Sequence, residues 1–118
     1  MAARVLIVDD DPRFRALARG LLEARGYTVV AEAASGAEAL AAVERASPSA
    51  ALVDVQLPDA DGLALARRLT ERGNSLRIVL TSADPSVVSA AAMGESPALA
   101  FVPKDQLALT DLTPWLAR

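Results

Sequence analysis

The chain has 118 residues, 53% of them hydrophobic and 23% charged, which suits one domain over residues 1–118 that buries its core without covalent staples. It has no Cys and no His, so disulfides, thiol nucleophiles, imidazole metal sites and Ser–His chemistry are excluded, and any metal must be held by oxygen. A net charge of −3 argues against direct nucleic-acid binding; the start MAARVLIVDDD is no secretory signal, and no apolar run approaches the ~20 residues of a membrane span, so a cytoplasmic location is expected.

Short apolar runs alternate with amphipathic stretches of helical length. The first run, residues 5–8, ends in Asp9-Asp10-Asp11. Asp11 can cap a first helix with Pro12 at its first position; Phe14, Leu17, Leu21 and Leu22 fall on one face, and Gly26 ends it. A second run at 28–31 precedes Ser35 and Glu38, a capping-box pattern for a second helix with Leu40 and Val43 inward. A third run at 51–53 ends in Asp54, after which Asp61 or Gly62 opens a third helix carrying Leu65 and Leu69 and stopped by Gly73. The fourth run, 78–80, leads into Thr81-Ser82-Ala83; Asp84 and Pro85 then open a fourth helix with Val88 and Met93 inward and Gly94 closing it. The fifth run, 99–102, precedes Lys104, and Pro114 must lie in the first turn of a short last helix over 111–117. Apolar runs bounded by turn residues read as strands covered on both faces, so the expected fold is α/β: a parallel sheet of five strands with five helices.

In such a sheet, ligands bind beyond the carboxyl ends of the strands. Those ends carry Asp9, Asp10 and Asp11, then Asp54, then Thr81 and Ser82, then Lys104. Singly, each has a plain explanation: Asp11 as a helix cap, Asp9 and Asp10 as solvated turn residues, the hydroxyls as caps, Lys104 as a surface charge. Together on one edge they form carboxylates that repel unless a divalent cation and a lysine neutralise them. Hard oxygen ligands suit Mg²⁺, and a carboxylate beside Mg²⁺ and Lys suits attack on a phosphoryl group to form an aspartyl phosphate.

Four motifs stand in order: Val8-Asp9-Asp10; Asp54-Val55-Gln56-Leu57-Pro58-Asp59-Ala60-Asp61-Gly62; Thr81-Ser82-Ala83; and Phe101-Val102-Pro103-Lys104. With these the chain resembles, over essentially its whole length, the receiver domains of two-component response regulators. The resemblance implies a flavodoxin-like doubly wound sheet of order 2-1-3-4-5 with helices on two faces. It implies Asp54 as phosphoacceptor, Asp10 as a direct Mg²⁺ ligand, Asp9 as a ligand through water, and the Gln56 carbonyl as a further ligand, with Asp54 itself in the metal's shell. Lys104 resembles the lysine that contacts the phosphoryl group. Family spacing to that lysine, and the small Ala83, favour Ser82 as the switch hydroxyl, with Thr81 then on the opposite face of the strand. Phe101 takes the place of the switch aromatic, while Pro58 and Gly62 shape the loop after Asp54. Gln56 and Asp84, two residues beyond the phosphoacceptor and the hydroxyl, would border the path of an attacking water. Two departures stand out: Asp105 rather than Pro follows Lys104, and the stretch 94–100 replaces the usual short turn before the aromatic.

The implied function is a signalling phosphoacceptor rather than an enzyme acting on other substrates. A sensor histidine kinase would donate the phosphoryl group. The surface of the fourth helix, fifth strand and fifth helix would then control an output protein, a fused effector domain or pairing of two copies. Rival readings are a Mg²⁺-dependent phosphohydrolase with an aspartyl-phosphate intermediate, a flavin- or nucleotide-binding domain, and a pseudo-receiver that takes no phosphate. Gln56 stands where the hydrolase would need a second Asp. Three acids occupy the loop that a bound phosphate would need, and no G-x-x-x-x-G-K-[ST] sequence occurs.

Overall fold

A computed structural model describes residues 3–71 and 75–116. The strands are β1 (Arg4–Val8), β2 (Thr28–Ala33), β3 (Ala50–Asp54), β4 (Arg77–Ser82) and β5 (Ala100–Pro103); the helices are α1 (Pro12–Ala24), α2 (Gly36–Ala46), α3 (Gly62–Thr70), α4 (Ala90–Glu95) and α5 (Thr113–Leu116). The strands form one parallel sheet in the order β2-β1-β3-β4-β5, as the resemblance implies. Pro103 is tolerated because β5 is an edge strand, where a missing N–H costs no ladder bond on the open side.

Side-chain alternation divides the apolar residues of each strand between two cores. Leu6, Val8, Ala51, Val53, Ile78 and Leu80 pack with Ala39 and Val43 of α2 and with Leu65 and Leu69 of α3. Val5, Ile7, Leu52, Val79 and Val102 pack on the other face with Phe14, Ala18 and Leu22 of α1 and with Leu107, Leu112 and Leu116. The second core is closed by two arginines. Arg25 donates to the carbonyls of Thr110 (2.7 Å) and Ala108 (2.8 Å), and Arg77 donates to that of Trp115 (2.6 Å), fixing the segment that follows β5.

Asp11 caps α1 through the Arg13 N–H, Ser35 caps α2 through the Glu38 N–H, and Asp61 caps α3 through the Leu63 N–H. Local details depart from the sequence reading for physical reasons. Leu17 is 64% exposed, because the buried stripe of α1 centres on Ala18 and Leu17 lies about 100° around the helix from it. Glu38 accepts from the Ala34 N–H rather than that of Ser35, so the box closes one residue early. Asp84 and Pro85 open only a 3₁₀ turn, Pro85–Val87. Val88 is extended, and α4 starts afresh at Ala90 under a Ser89 cap, with Gly94 inside it. The adjacent β-branched Val87 and Val88 resist helix, and the Ser89 hydroxyl supplies a new start. Among the described residues the last helix runs over Thr113–Leu116 with Pro114 in its first turn, starting two residues later than expected; a 3₁₀ segment, Lys104–Leu109, precedes it. Gly73 and Ala117 lie outside the described residues.

The connection from β3 to α3 is anchored at a distance. Asp59 accepts from the N–H groups of Gly36 (2.8 Å) and Ala37 (3.2 Å) at the start of α2, where donors are unpaired and the helix dipole is positive. The Gly36 N–H, then that of Ala37, holds the Asp59 carboxyl below the usual carboxylate range. Its folded pKa is therefore below its unfolded one, so its stabilisation is present above the unfolded pKa and is lost as pH falls through the folded one. Melting curves of the wild type and Asp59→Asn should show the wild type melting higher at neutral pH, with the gap narrowing as pH falls below the carboxylate range. A gap independent of pH would contradict this role for the charge.

Candidate functional site

The parallel order brings the carboxyl ends of β1, β3, β4 and β5 to one edge. Ile7, Leu52, Val79 and Val102 share the α1 face of the sheet. Two residues further along each strand come Asp9, Asp54, Thr81 and Lys104, so alternation carries these four onto the same side. Lys104 confirms the side, since its Nζ lies 4.4 Å from the centre of the Phe14 ring on α1.

Asp9 is fully buried. Its Oδ1 accepts from the Asp11 N–H at 2.9 Å, and its Oδ2 lies 2.6 Å from Lys104 Nζ. Asp54 is 5% exposed; its Oδ1 accepts from the Gln56 N–H at 3.0 Å and its Oδ2 from Lys104 Nζ at 3.2 Å. One ammonium thus bridges two buried carboxylates. Two like charges roughly 4 Å apart repel by about 4 kcal/mol at an effective dielectric constant of about 20, and Lys104 offsets a repulsion of that order. Burial pushes the Asp9 carboxyl above its ordinary pKa, and the Asp54 charge adds to this; Lys104 and the Asp11 N–H pull the other way. Burial alone would lower the Lys104 pKa, but the Asp9 and Asp54 carboxylates outweigh it and raise it, so the lysine stays charged at neutral pH.

Asp10, which is exposed, completes the cluster: Asp9, Asp10 and Asp54 each offer one oxygen within 4.8 Å of the others. Asp9 Oδ2 is buried and shares the Lys104 ammonium with Asp54, beside a third carboxylate, Asp10. Three carboxylates against one ammonium leave an excess of negative charge, and the donor set is entirely oxygen. These features fit a hard divalent cation.

The loop after Asp54 is held tightly. Gln56 bridges Asp61, Leu57 N–H donates to the Ala60 carbonyl (3.2 Å), and Gly62 N–H donates to the Val55 carbonyl (2.7 Å). A Cβ at Gly62 would stand 2.4 Å from the Asp54 carbonyl oxygen, so this close return of the chain requires glycine.

The two hydroxyls of β4 lie on opposite faces, as alternation predicts: Thr81 is in register with Asp54 on the side of α1. Ser82 falls on the other side, that of Phe101, where its Oγ accepts from the Asp84 N–H at 3.1 Å and keeps its own O–H as a donor. Thr81 is 1% exposed and its Oγ1 has no hydrogen-bond partner. Phe101, opposite Leu80, is half-buried against the core of α2 and α3. Every peptide bond described is trans, including those flanking Lys104.

Sequence reasoning missed three participants. Phe14 counted only as core, yet its ring lies under the Lys104 ammonium. Asp59 ties the loop to α2, a contact across 23 residues with no local signature. Arg15 of α1 donates from Nη1 to the Asp9 carbonyl at 2.6 Å and from Nε to Glu32 at 3.1 Å.

Comparison with known proteins agrees with this geometry. The chain is 38% identical over 103 residues to a putative transcriptional regulator of Pseudomonas aeruginosa, covering 86% of this chain and 49% of that protein. It is 35% identical over 83 residues to the chemotaxis protein CheY of Bacillus subtilis, covering 70% and 69%. The signal receiver domain of the putative response regulator NarL from Mycobacterium tuberculosis superposes with a TM-score of 0.77 at 32% identity, covering 92% of this chain and 88% of that one. The chain spans about half or less of the length of the longer curated relatives it matches. The family model of the response regulator receiver domain matches residues 5–113, and the chain belongs to that family.

Proposed function

We propose that this chain is a phosphorylation-controlled switch in which Asp54 accepts a phosphoryl group from the phosphohistidine of a sensor histidine kinase. The observation that carries this reading is Lys104 Nζ, set 2.6 Å from Asp9 and 3.2 Å from Asp54, which puts a fixed cation where a phosphoryl oxygen would develop charge. An Asp54 carboxylate oxygen attacks phosphorus, the bond from phosphorus to the imidazole nitrogen breaks, and its electron pair stays on that nitrogen. Mg²⁺, held by Asp9, Asp10, Asp54 and the Gln56 carbonyl, would neutralise phosphoryl oxygen charge when bound. Lys104 moves from carboxylate to phosphoryl oxygen, with the Phe14 ring beneath it.

The Ser82 hydroxyl, at the end of β4 on the side of Phe101, is the donor for a phosphoryl oxygen: accepting from the Asp84 N–H leaves its own O–H to donate, while Thr81 lies on the α1 face. Drawing Ser82 inward alters the packing next to Phe101 and biases the surface of α4, β5 and the segment after it toward a partner. That partner is an output protein, a second copy, or an effector domain fused in a longer chain; several relatives, such as a LuxR-family response regulator from Aurantimonas, are named as regulators. The module acts in the cytoplasm, binds neither membrane nor nucleic acid itself, and catalyses only its own phosphorylation and dephosphorylation. Among the described residues no helix is long and apolar enough to cross a membrane. Gln56 in place of a second Asp disfavours the phosphohydrolase reading.

Intact mass after incubation with Mg²⁺ and acetyl phosphate should rise by one phosphoryl group. The gain should be absent in Asp54→Asn and in the presence of a chelator; a full gain in Asp54→Asn would refute the assignment. Proton NMR of the Phe101 ring separates the two hydroxyls. Ser82→Ala should abolish the phosphorylation-dependent shift of that ring while Thr81→Ala retains it, and the reverse pattern would make Thr81 the switch.

A further inference from the structure

We propose that Arg15 is a positioning residue for the divalent cation, acting through the Asp9 carbonyl, with Glu32 as its brace. The inference rests on the reading of Asp9, Asp10 and Asp54 as cation ligands. It begins with Asp10, the exposed member of that group. Among the described residues no hydrogen bond or ion pair holds the Asp10 carboxylate, so the backbone before it sets where it projects. The peptide joining Asp9 to Asp10 presents its carbonyl to Arg15 Nη1 at 2.6 Å, a short charge-assisted bond.

Arg15 is itself held. Its side chain is 19% exposed, and its Nε donates to Glu32 Oε1 at 3.1 Å. Glu32 lies on β2, and its other oxygen accepts from Arg19 Nε at 2.7 Å. The guanidinium therefore spans from the loop bearing the carboxylates to a strand on the far side of β1. Its planar fork lets one nitrogen be fixed by Glu32 while another reaches the carbonyl, which a lysine cannot duplicate in full. α1 has its own supports in the Asp11 cap and in the burial of Phe14, Ala18 and Leu22. What Arg15 adds is the orientation of one peptide at the acidic edge. Groups that orient metal ligands without touching the metal commonly change affinity by about 10–100-fold.

Two roles for this arginine predict opposite signs. If it acted only as a nearby positive charge, its removal would strengthen cation binding by relieving repulsion. If it positions the ligands, its removal weakens binding. Calorimetric titration of the full chain with MgCl₂ distinguishes the two. Arg15→Met should bind Mg²⁺ about tenfold more weakly, Glu32→Gln a few-fold more weakly, and Arg15→Lys should recover part of the loss through a cationic donor that still reaches the carbonyl. Arg19→Met, which leaves the Arg15–Glu32 contact in place, should stay within about twofold of wild type. Circular dichroism melts identify any variant that fails to fold, in which case Glu32→Gln and Arg15→Lys carry the comparison. Unchanged or tighter binding in the folded Arg15 and Glu32 variants would overturn the proposal. Absence of Mg²⁺ binding by the wild type would instead overturn the metal-site reading on which it rests, and the proposal with it.

Discussion

The structure depends on one electrostatic constraint: two buried carboxylates, Asp9 and Asp54, share the single ammonium of Lys104. The parallel sheet creates the problem, because its carboxyl ends bring the acids of β1 and β3 together at an edge with little water. It also supplies the remedy, because the same topology delivers Lys104 from β5 past the end of β4. An arrangement of this kind is costly unless every charge is offset. The offset is incomplete here, since Asp10 adds a third carboxylate to the two that Lys104 serves. Three carboxylates beside one ammonium make an all-oxygen donor set that suits a hard divalent cation.

Much of the surrounding structure serves to hold that edge still. Gly62 allows the chain to return against the Asp54 carbonyl. Asp59 ties the same loop to the start of α2, and Arg15 grips the Asp9 carbonyl from α1. Each tie joins the acidic edge to a different element, so the ligating groups are fixed by the two cores rather than by their own loops. The hydroxyls divide by face: Thr81 stands in register with Asp54 on the side of α1, and Ser82 stands on the side of Phe101.

The sheet was readable from sequence because its strands are apolar runs buried on both faces and closed by turn residues. Caps at Asp11, Ser35 and Asp61 were readable because a side-chain oxygen meeting an orphan N–H is a local event. Leu17 was misjudged because small Ala18, not a leucine, centres the buried stripe. The fourth helix was misjudged because Asp84-Pro85 signals a helical start without saying how far Val87 and Val88 let it run. Among the site residues, Asp9, Asp10, Asp54 and Lys104 were found through motifs at strand ends. That Thr81 and Ser82 face opposite sides was readable from strand alternation, and the pairing of β4 with β3 and β5 puts Thr81 beside Asp54 and Ser82 on the side of Phe101. Arg15, Glu32 and Asp59 were not found, since Arg15 and Asp59 act on backbone groups of other elements and Glu32 acts on Arg15 from another strand, and such contacts leave no local pattern.

The central claim is that Asp54, alone among the clustered carboxylates, takes the phosphoryl group. Reductive trapping tests it most directly: borohydride converts an acyl phosphate to the alcohol, so a phosphorylated aspartate becomes homoserine and can be located by peptide mass spectrometry. After incubation with Mg²⁺ and a small phosphodonor, homoserine at position 54 and unmodified Asp9 and Asp10 are the predicted result. Homoserine at position 9 or 10, or at none of the three, would contradict the account.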